Sequence, residues 1–321
     1  MKLALYTPRA GGEASLGIVV GESDLVDAGD LVAGAPPDAP QRLMTEAIDV
    51  FERRRGEFER AADQRDRIRL DSVELLSPLP RPGKILCCIG NYWEHAEREP
   101  KPLNMFLKNP DAVIGPGGTV RLPSTTEPWI FMHEAELALV VKGPAKDVPA
   151  DRWQEAIFGY TCMIDVTARG EGRMTWRAGS WMGKSFDTFG PLGPVVVTAD
   201  EIPDPNDVRV RLWDDGELRH DYSTDDMEHR VPEIVEFASS IMTLHSGDVI
   251  ACGTNHEGLG AVQHGDELRI EIAEVGSMSV GVVDPLERSW PRGVYMGADS
   301  TNHEAVRQHD PQAAARLRPS S

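Results

Sequence analysis

Eight short apolar segments follow one another after residue 83, and they constrain the fold more than any other feature of the sequence. They read KILCCI, ELALVV, YTCMID, PVVV, VRVRLW, DVIAC, LRIEIA and SMSVGVV. Short apolar runs rich in β-branched residues and bounded by turn formers are typical of β-strands. The sequence shows no regular alternation of strands with helices, no GxGxxG motif and no Walker loop, which argues against a nucleotide-binding fold. It predicts a mostly β chain with some helix, an α+β fold.

The first 76 residues have a different pattern. KLALY and LGIVV are predicted strands, and a predicted helix carries its apolar face on Leu43, Met44, Ala47, Ile48 and Phe51. A proline-rich connector, LLSPLPRPGK, follows. We therefore expect a small N-terminal α/β domain over residues 1–76, a main domain over 77–286, and a C-terminal arm and tail over 287–321.

Two helices are predicted inside the main domain. DRWQEAIFGY has helical character, and the apolar residues between 231 and 242 have helical spacing behind Pro232, which suits a first helical turn.

The charge of the chain narrows the choice of partners. A net charge of -19 with no Lys/Arg-rich run makes nucleic acid and anionic membranes poor partners. No apolar segment approaches the length needed to span a bilayer, and the apolar part of the N-terminus is too short for a signal peptide, so we expect a cytoplasmic protein. Four cysteines in apolar contexts, without metal-binding spacing, are predicted to be buried and unpaired.

Two acids interrupt the apolar segment HEAELALVV. Side chains of a strand alternate between its faces, so Glu134 and Glu136 project from the same face. Two neighbouring carboxylates repel each other and are costly to bury without compensation. Either a cation compensates them, or this face of the strand is solvated.

A third acid, Asp165, ends the apolar run YTCMID. Three carboxylates on β-segments would make an oxygen site suited to Mg²⁺ or Mn²⁺, with Ca²⁺ as a further possibility, and poorly suited to zinc. The alternative is an ion pair between Asp165 and Arg169.

Two polar segments add candidate site residues. Lys184 lies between Gly183 and Ser185, where it would either pair with an anionic substrate or belong to an exposed turn. The run Thr254, Asn255, His256 and Glu257 directly follows an apolar strand, and polar loops at strand ends often carry function.

The motifs of residues 80–284 resemble those of the fumarylacetoacetate hydrolase family. The motifs, in the order of the family, are PGKILCCIGNYWEHA, MFLKNPDAVIGPG, HEAELALVVKG, GYTCMIDVTAR, GKSFDTFGPLGP and TDDMEHRVPEIVEFASSIMTLHSGDVIACGT. The resemblance implies a mixed β-roll around a divalent metal and, usually, a homodimer.

The resemblance also implies roles for single residues. Glu134, Glu136 and Asp165 match the metal ligands, and Lys184 and Arg169 match the cationic residues near the substrate. Thr254 matches the threonine of the substrate loop, with Asn255 and His256 beside it. His95 matches a histidine that activates water in hydrolytic members, where it lies on a short helix and pairs with a glutamate three residues later.

Three departures from the family pattern affect the expected site. Arg98 replaces that glutamate, so Glu99, one helical turn after His95, is the expected partner. His256 and Glu257 replace a proline-containing loop and are either an alternative acid and base or a loop variant that caps backbone groups. A segment rich in glycine and arginine is expected to be a mobile lid that carries Arg173 and Arg177.

The resemblance implies a metal-dependent enzyme acting on an anionic keto acid. We expect hydrolysis of a C–C bond in an acylpyruvate-like or diketo-acid substrate through an enolate. A decarboxylase, isomerase or hydratase of an unsaturated dicarboxylic keto acid from aromatic catabolism is the first alternative. A catalytically silent metal-binding protein is the second.

Overall fold

The structure is a computed structural model, and it describes residues 1–34, 36, 39–124, 130–169, 180–290 and 292. Within these residues lie nineteen strands and three α-helices, so the predicted α+β fold with mostly strands is confirmed. The helices are α1 (Gln41–Gln64), α2 (Ser180–Lys184) and α3 (Val231–Ile241). In chain order the strands are β1 (Lys2–Pro8), β2 (Ser15–Val20), β3 (Asp24–Asp27), β4 (Ile68–Arg69), β5 (Val73–Leu75), β6 (Ile85–Cys88), β7 (Met105–Lys108), β8 (Val113–Ile114), β9 (Thr119–Arg121), β10 (Ile130–Met132), β11 (Ala135–Val141), β12 (Ile157–Ile164), β13 (Thr167–Arg169), β14 (Gly190–Thr198), β15 (Arg209–Asp214), β16 (Glu217–Ser223), β17 (Val249–Ala251), β18 (Glu267–Ile272) and β19 (Gly276–Val283).

Most strands of the described residues belong to two sheets. The larger sheet has the order β4-β3-β2-β1-β14-β12-β11-β17-β6-β7, with β5 paired to β1 and β8 paired to β14. The second sheet has the order β16-β15-β18-β19-β9, and β10 pairs with β13 separately. Strands from both sides of residue 76 share the larger sheet through the β1–β14 pair. The division of the chain into domains stays a prediction.

Strand β11 is the centre of the larger sheet and is buried along its whole length. Its odd-numbered side chains, such as Leu137 and Leu139, pack in one cluster with Leu212 of the second sheet. Its even-numbered side chains, Ala138 and Val140, belong to another cluster that includes the apolar face of α1. Full burial of one such leucine contributes about 2 kcal/mol. The strand that carries the acids is therefore held from both faces.

Two of the three helices predicted from apolar spacing are confirmed. Helix α1 buries the predicted apolar face, and α3 carries a proline in its first turn. The helix over DRWQEAIFGY is wrong, because only residues 150–156 form a short 3-10 helix and strand β12 begins at Ile157. Gly159 lies so close to β14 that an added Cβ would be 2.0 Å from the carbonyl oxygen of Val197. Pairing within the buried sheet overrides the helical spacing of this segment.

The predicted burial of the cysteines is confirmed. All four lie in the interior as free thiols, and burial raises the pKa of each, which disfavours the nucleophilic thiolate. In the part of the chain that the structure describes, no helix is both long and apolar enough to cross a membrane.

Candidate metal centre

The acidic side chains meet at the edge where strand β11 begins and its antiparallel neighbour β12 ends. The two strands pair antiparallel with Ala135 opposite Ile164. The ladder continues one step further, since the backbone N–H of Asp165 donates to the carbonyl oxygen of Glu134 at 2.8 Å. Residues at adjacent strand ends therefore face one another, and Glu136 lies two residues after Glu134, inside β11.

Glu134, Glu136 and Asp165 form a compact oxygen cluster. Each residue contributes one carboxylate oxygen to a set whose members all lie within 4.8 Å of one another. The three residues are 5%, 1% and 1% exposed. The solvated face that was the alternative for the two glutamates is therefore wrong, and these carboxylates need compensation within the protein or from a bound cation.

Lys184 supplies part of that compensation. Its Nζ lies 2.7 Å from Glu134 Oε2, 2.6 Å from Asp165 Oδ2 and 2.7 Å from the hydroxyl of Thr167. Burial by itself would lower the pKa of Lys184, but the charges of Asp165 and Glu134 outweigh it and raise the pKa to about 12. Lys184 is 3% exposed, so the alternative of an exposed turn lysine is wrong.

Arg169 donates to Glu134 Oε1 at 2.8 Å, so its ion pair is with Glu134 and not with Asp165. Burial would raise the pKa of Glu134, but the charges of Lys184 and Arg169 hold it well below its usual range. Glu134 is therefore ionised and doubly paired.

Lys108 is a member of the cluster that the sequence reasoning missed. Its fully buried Nζ lies 2.7 Å from Asp165 Oδ1 and also donates to the carbonyl oxygen of Lys184. The available signal was its place at the end of β7, because strand alternation puts Lys108 on the same face as the buried Phe106. A lysine on a buried strand face requires a carboxylate partner.

Glu136 differs from the other two acids. It accepts the backbone N–H of Gly253 at 2.7 Å, and it makes no ion pair within the described residues. Burial, followed by the charges of Asp165 and Glu134, raises its pKa well above the usual value. A carboxylate oxygen has two lone pairs, so an oxygen that accepts an N–H bond retains a site for a cation. The three acids therefore fit a hard divalent cation such as Mg²⁺ or Mn²⁺.

Two loops, one of which begins beside Glu136, meet through two pairs of side chains. Glu94 Oε1 accepts a hydrogen bond from Nδ1 of His256, and it also accepts the backbone N–H of His256 at 2.8 Å. His95 Nε2 lies 3.4 Å from Glu257 Oε1. Two adjacent residues of one loop thus pair with two adjacent residues of the other.

The second loop is fixed to the metal cluster at its start. Gly253 contacts Glu136, as described above, and Thr254 is 2% exposed. The side-chain oxygen of Asn255 accepts the backbone N–H of Glu257 at 2.9 Å, and its amide donates to Asp226 at 3.1 Å. The predicted substrate-binding residues Thr254, Asn255 and His256 directly follow Gly253, the residue of this loop that contacts Glu136.

Comparison with known proteins identifies the family. A sequence model described as the C-terminal domain of fumarylacetoacetate (FAA) hydrolase matches residues 84–283, which is more than half of the chain. The chain belongs to the fumarylacetoacetate hydrolase family. The resemblance drawn from the sequence is confirmed.

Relatives in this family have more than one activity. The maleylpyruvate hydrolase of Aquipseudomonas alcaligenes is 37% identical over 232 residues, which are 67% of this chain and 78% of that protein. The mitochondrial oxaloacetate tautomerase fahd2 of Xenopus laevis is 32% identical over 275 residues, 81% of this chain and 85% of that protein. A crystal structure of maleylpyruvate hydrolase from Sphingobium sp. SYK-6 with manganese(II) and pyruvate has a TM-score of 0.77 and 35% identity, and it covers 88% of this chain and 99% of the other.

The predicted helix around the family histidine is wrong. Residues 91–100 contain no helix, and His95 has a φ of 60° in an exposed turn. Glu99, predicted as the partner of His95 on that helix, has an exposed side chain, and Glu257 is the acid that lies beside His95. Without a helical turn, residues four apart do not face each other.

Arg98 instead anchors the first loop of this family member. Its guanidinium forms two hydrogen bonds, of 2.9 and 2.5 Å, with the carboxylate of Glu228, whose side chain is fully buried. Arg173 and Arg177, expected on a mobile lid, lie outside the described residues. The homodimer and the cytoplasmic location stay predictions.

Proposed function

We propose that the protein is a divalent-metal-dependent hydrolase that cleaves a C–C bond in an acylpyruvate-like or diketo-acid substrate. The observation that carries the proposal is the buried cluster of Glu134, Glu136 and Asp165, which is paired with Lys184. The loop that begins at Gly253, beside Glu136, carries Glu257, the partner of His95. The similarity to the maleylpyruvate hydrolase crystallised with manganese(II) and pyruvate supports it. A purely structural cation site needs the carboxylates alone, so the additional cationic and acid–base groups favour an enzyme over a silent binding protein.

The carboxylates would hold a cation that supplies positive charge to the oxygens of a 2-oxo acid. Arg169 and Lys184 add positive charge on the same side, where a substrate carboxylate and a developing enolate oxygen need it. One well-placed donor to a developing oxyanion contributes about 3 kcal/mol to the stability of the transition state.

The His95–Glu257 pair provides a general base. With Nε2–H directed at Glu257, Nδ1 of His95 is the nitrogen that accepts a proton from water. The hydroxyl oxygen then bonds to the distal carbonyl carbon of the substrate. When the C–C bond breaks, its electron pair moves to the 2-oxo acid fragment as an enolate, and a carboxylic acid is released. The proton that Nδ1 of His95 took from water then moves to the enolate carbon, which completes the reaction.

A keto–enol tautomerase or isomerase is the second candidate. It is supported by the similarity to the oxaloacetate tautomerase of Xenopus laevis. Both reactions pass through an enolate of a 2-oxo acid, so a shared fold and acid cluster serve either one.

The test is turnover of acylpyruvates with added Mg²⁺ or Mn²⁺, followed by loss of ultraviolet absorbance and by analysis of the products. Hydrolysis should yield pyruvate and a carboxylic acid, and His95→Asn should lower kcat by about 100-fold or more. Loss of enol absorbance without cleavage products would favour the tautomerase. Release of carbon dioxide would identify a decarboxylase, and metal binding without any turnover would identify the silent protein.

A further inference from the structure

The two side-chain pairs between the loops differ in burial. Glu94 is 9% exposed and the imidazole of His256 is 20% exposed, whereas the imidazole of His95 is 87% exposed. We call Glu94–His256 the inner pair and His95–Glu257 the outer pair. The hydrolysis proposed above uses the outer pair only, so the inner pair has no role in it.

The inner pair has the hydrogen bonding of an oriented base. Glu94 Oε1 accepts from Nδ1 of His256 and from its backbone N–H, which fixes both the ring and the loop. An imidazole that donates through Nδ1 has its lone pair on Nε2. Burial would raise the pKa of Glu94, but the positive charge available on His256 outweighs it, so the pKa is lowered and the carboxylate is ionised.

The backbone is strained where the two pairs separate. Glu94 and His95 have φ angles of 50° and 60°, in the left-handed region that costs a residue with a side chain about 1–2 kcal/mol. Asp226 holds this conformation, because its carboxylate accepts the backbone N–H of Glu94 at 3.2 Å and the amide of Asn255 at 3.1 Å. The strained turn directs Glu94 inward to His256 and leaves His95 in solvent.

The inner pair lies near the acid cluster. The loop that carries His256 begins at Gly253, which bonds to Glu136. His256 is also near enough to Glu134 for its charge to lower the pKa of that acid.

We propose that the inner pair is a second proton-transfer site, in which His256 is a catalytic residue and Glu94 a positioning residue, and that it gives this protein a proton-exchange activity at C3 of 2-oxo acids. The inference rests on the proposed function, because a 2-oxo acid would bind at the same acid cluster. It adds a reaction that does not need the water-activating outer pair.

The proposed exchange needs only His256 and the bound 2-oxo acid. Nε2 of His256 takes a proton from C3 of the bound 2-oxo acid, and the electron pair of the broken C–H bond moves to the C2 oxygen to give the enolate. Return of a proton from the imidazolium to C3 restores the keto form. In heavy water the imidazolium exchanges with solvent, so a deuteron is returned.

The test uses pyruvate in heavy water with Mg²⁺ and the full chain, with loss of the methyl proton signal followed by NMR. His256→Asn should slow the exchange by about 100-fold or more. Glu94→Gln should lower the kcat of the exchange by about 10-fold or more and leave KM for pyruvate unchanged, because glutamine keeps the oxygen that accepts from His256 but removes the negative charge. His95→Asn should lose cleavage of acylpyruvates but retain exchange. His245→Asn, which changes an exposed histidine of another loop, is the matched control.

Two further measurements separate chemistry from structure. Added imidazole should restore exchange to His256→Ala, which a purely structural role of His256 does not allow. Binding of Mn²⁺, measured by electron paramagnetic resonance, should be unchanged in His256→Asn and Glu94→Gln.

Exchange that persists in His256→Asn would overturn the inference. So would parallel loss of exchange, cleavage and Mn²⁺ binding without rescue by imidazole. Wild-type protein that cleaves acylpyruvates without exchanging pyruvate would overturn the inference and leave the proposed hydrolysis intact. Wild-type protein that exchanges pyruvate through His256 but cleaves no acylpyruvate would support the inference and overturn the hydrolysis.

Discussion

Glu136→Gln should stabilise the protein in the absence of metal and prevent the metal from stabilising it. Glutamine has the shape of a protonated glutamate, and its side-chain oxygen can still accept the N–H of Gly253. The substitution removes the one acid of the cluster that has no ion pair within the described residues. It therefore relieves a cost of folding in the metal-free protein and removes a ligand in the loaded one.

The magnitude follows from the raised pKa of Glu136. Folding favours its protonated form, so the stability linked to this group is fully present below its ordinary pKa of 4.5. That stability is lost as the pH rises towards the folded-state pKa, by about 1.4 kcal/mol per pH unit. The free energy of unfolding of Glu136→Gln, minus that of the wild type, should grow by this amount per unit.

The assay is urea unfolding with a chelator at about pH 5, 6 and 7. Glu267→Gln, which changes an exposed glutamate at the start of β18, is the control and should follow the wild type. A second series contains Mg²⁺ at about 100 times its dissociation constant, where the wild type should gain about 2.7 kcal/mol and Glu136→Gln much less. Parallel pH curves for wild type and Glu136→Gln, or equal stabilisation of both by Mg²⁺, would refute the reasoning.

Two further substitutions test the ion pairs around the site. Lys184→Met should destabilise the metal-free protein by about 3 kcal/mol, because it leaves two buried carboxylates short of a partner, and Mg²⁺ should restore part of the loss. Lys84→Met breaks an ion pair with the buried Asp248 outside the cluster, and its loss should not respond to Mg²⁺. Arg98→Ala should cost about 2 kcal/mol at neutral pH by leaving Glu228 unpaired, a figure reduced because Arg98 is partly exposed. Burial would raise the pKa of Glu228, but the hydrogen bond from Arg98 outweighs it and lowers the pKa below 4.5. The stability from this ion pair is therefore complete above pH 4.5 and is lost on acidification. If the difference in stability between the wild type and Arg98→Ala does not shrink in acid, the ion pair is not its source.

The sequence predicted the strands better than the helices for a physical reason. Strand β11 has seven consecutive buried residues, and its short apolar run rich in β-branched and aliphatic residues is consistent with a strand covered on both faces. The segment after residue 150 has both helical spacing and a β-branched and aromatic run, so local propensity does not decide between them. Pairing of Ile157–Ile164 with β11 and β14 decides, and that pairing is not local.

The same limit applies to the site. The sequence was sufficient to predict the three acids of the site, Glu134, Glu136 and Asp165, because acidic side chains in apolar strands are costly to bury. Glu94 was not, because its role depends on a left-handed backbone and on a contact with His256, 162 residues away. Lys108 falls between these cases, since strand alternation marks its face as buried but does not identify Asp165 as its partner.

The charges of the cluster explain how a chain with a net charge of -19 can bind an anion. Three carboxylates, Glu134, Glu136 and Asp165, lie among three cationic side chains, Lys108, Lys184 and Arg169. The six groups are formally neutral together when all three acids are ionised, the state that a bound cation favours. A divalent cation added to this neutral set makes the site positive by two charges in surroundings of low dielectric. The proposed anionic keto acid would be attracted more strongly to the loaded site than to the empty one, because interactions between buried charges are screened far less than those with the distant acidic surface. In the proposed function, selectivity for an anionic substrate would therefore come from the cluster and its cation, and the net charge of the whole chain would not oppose it.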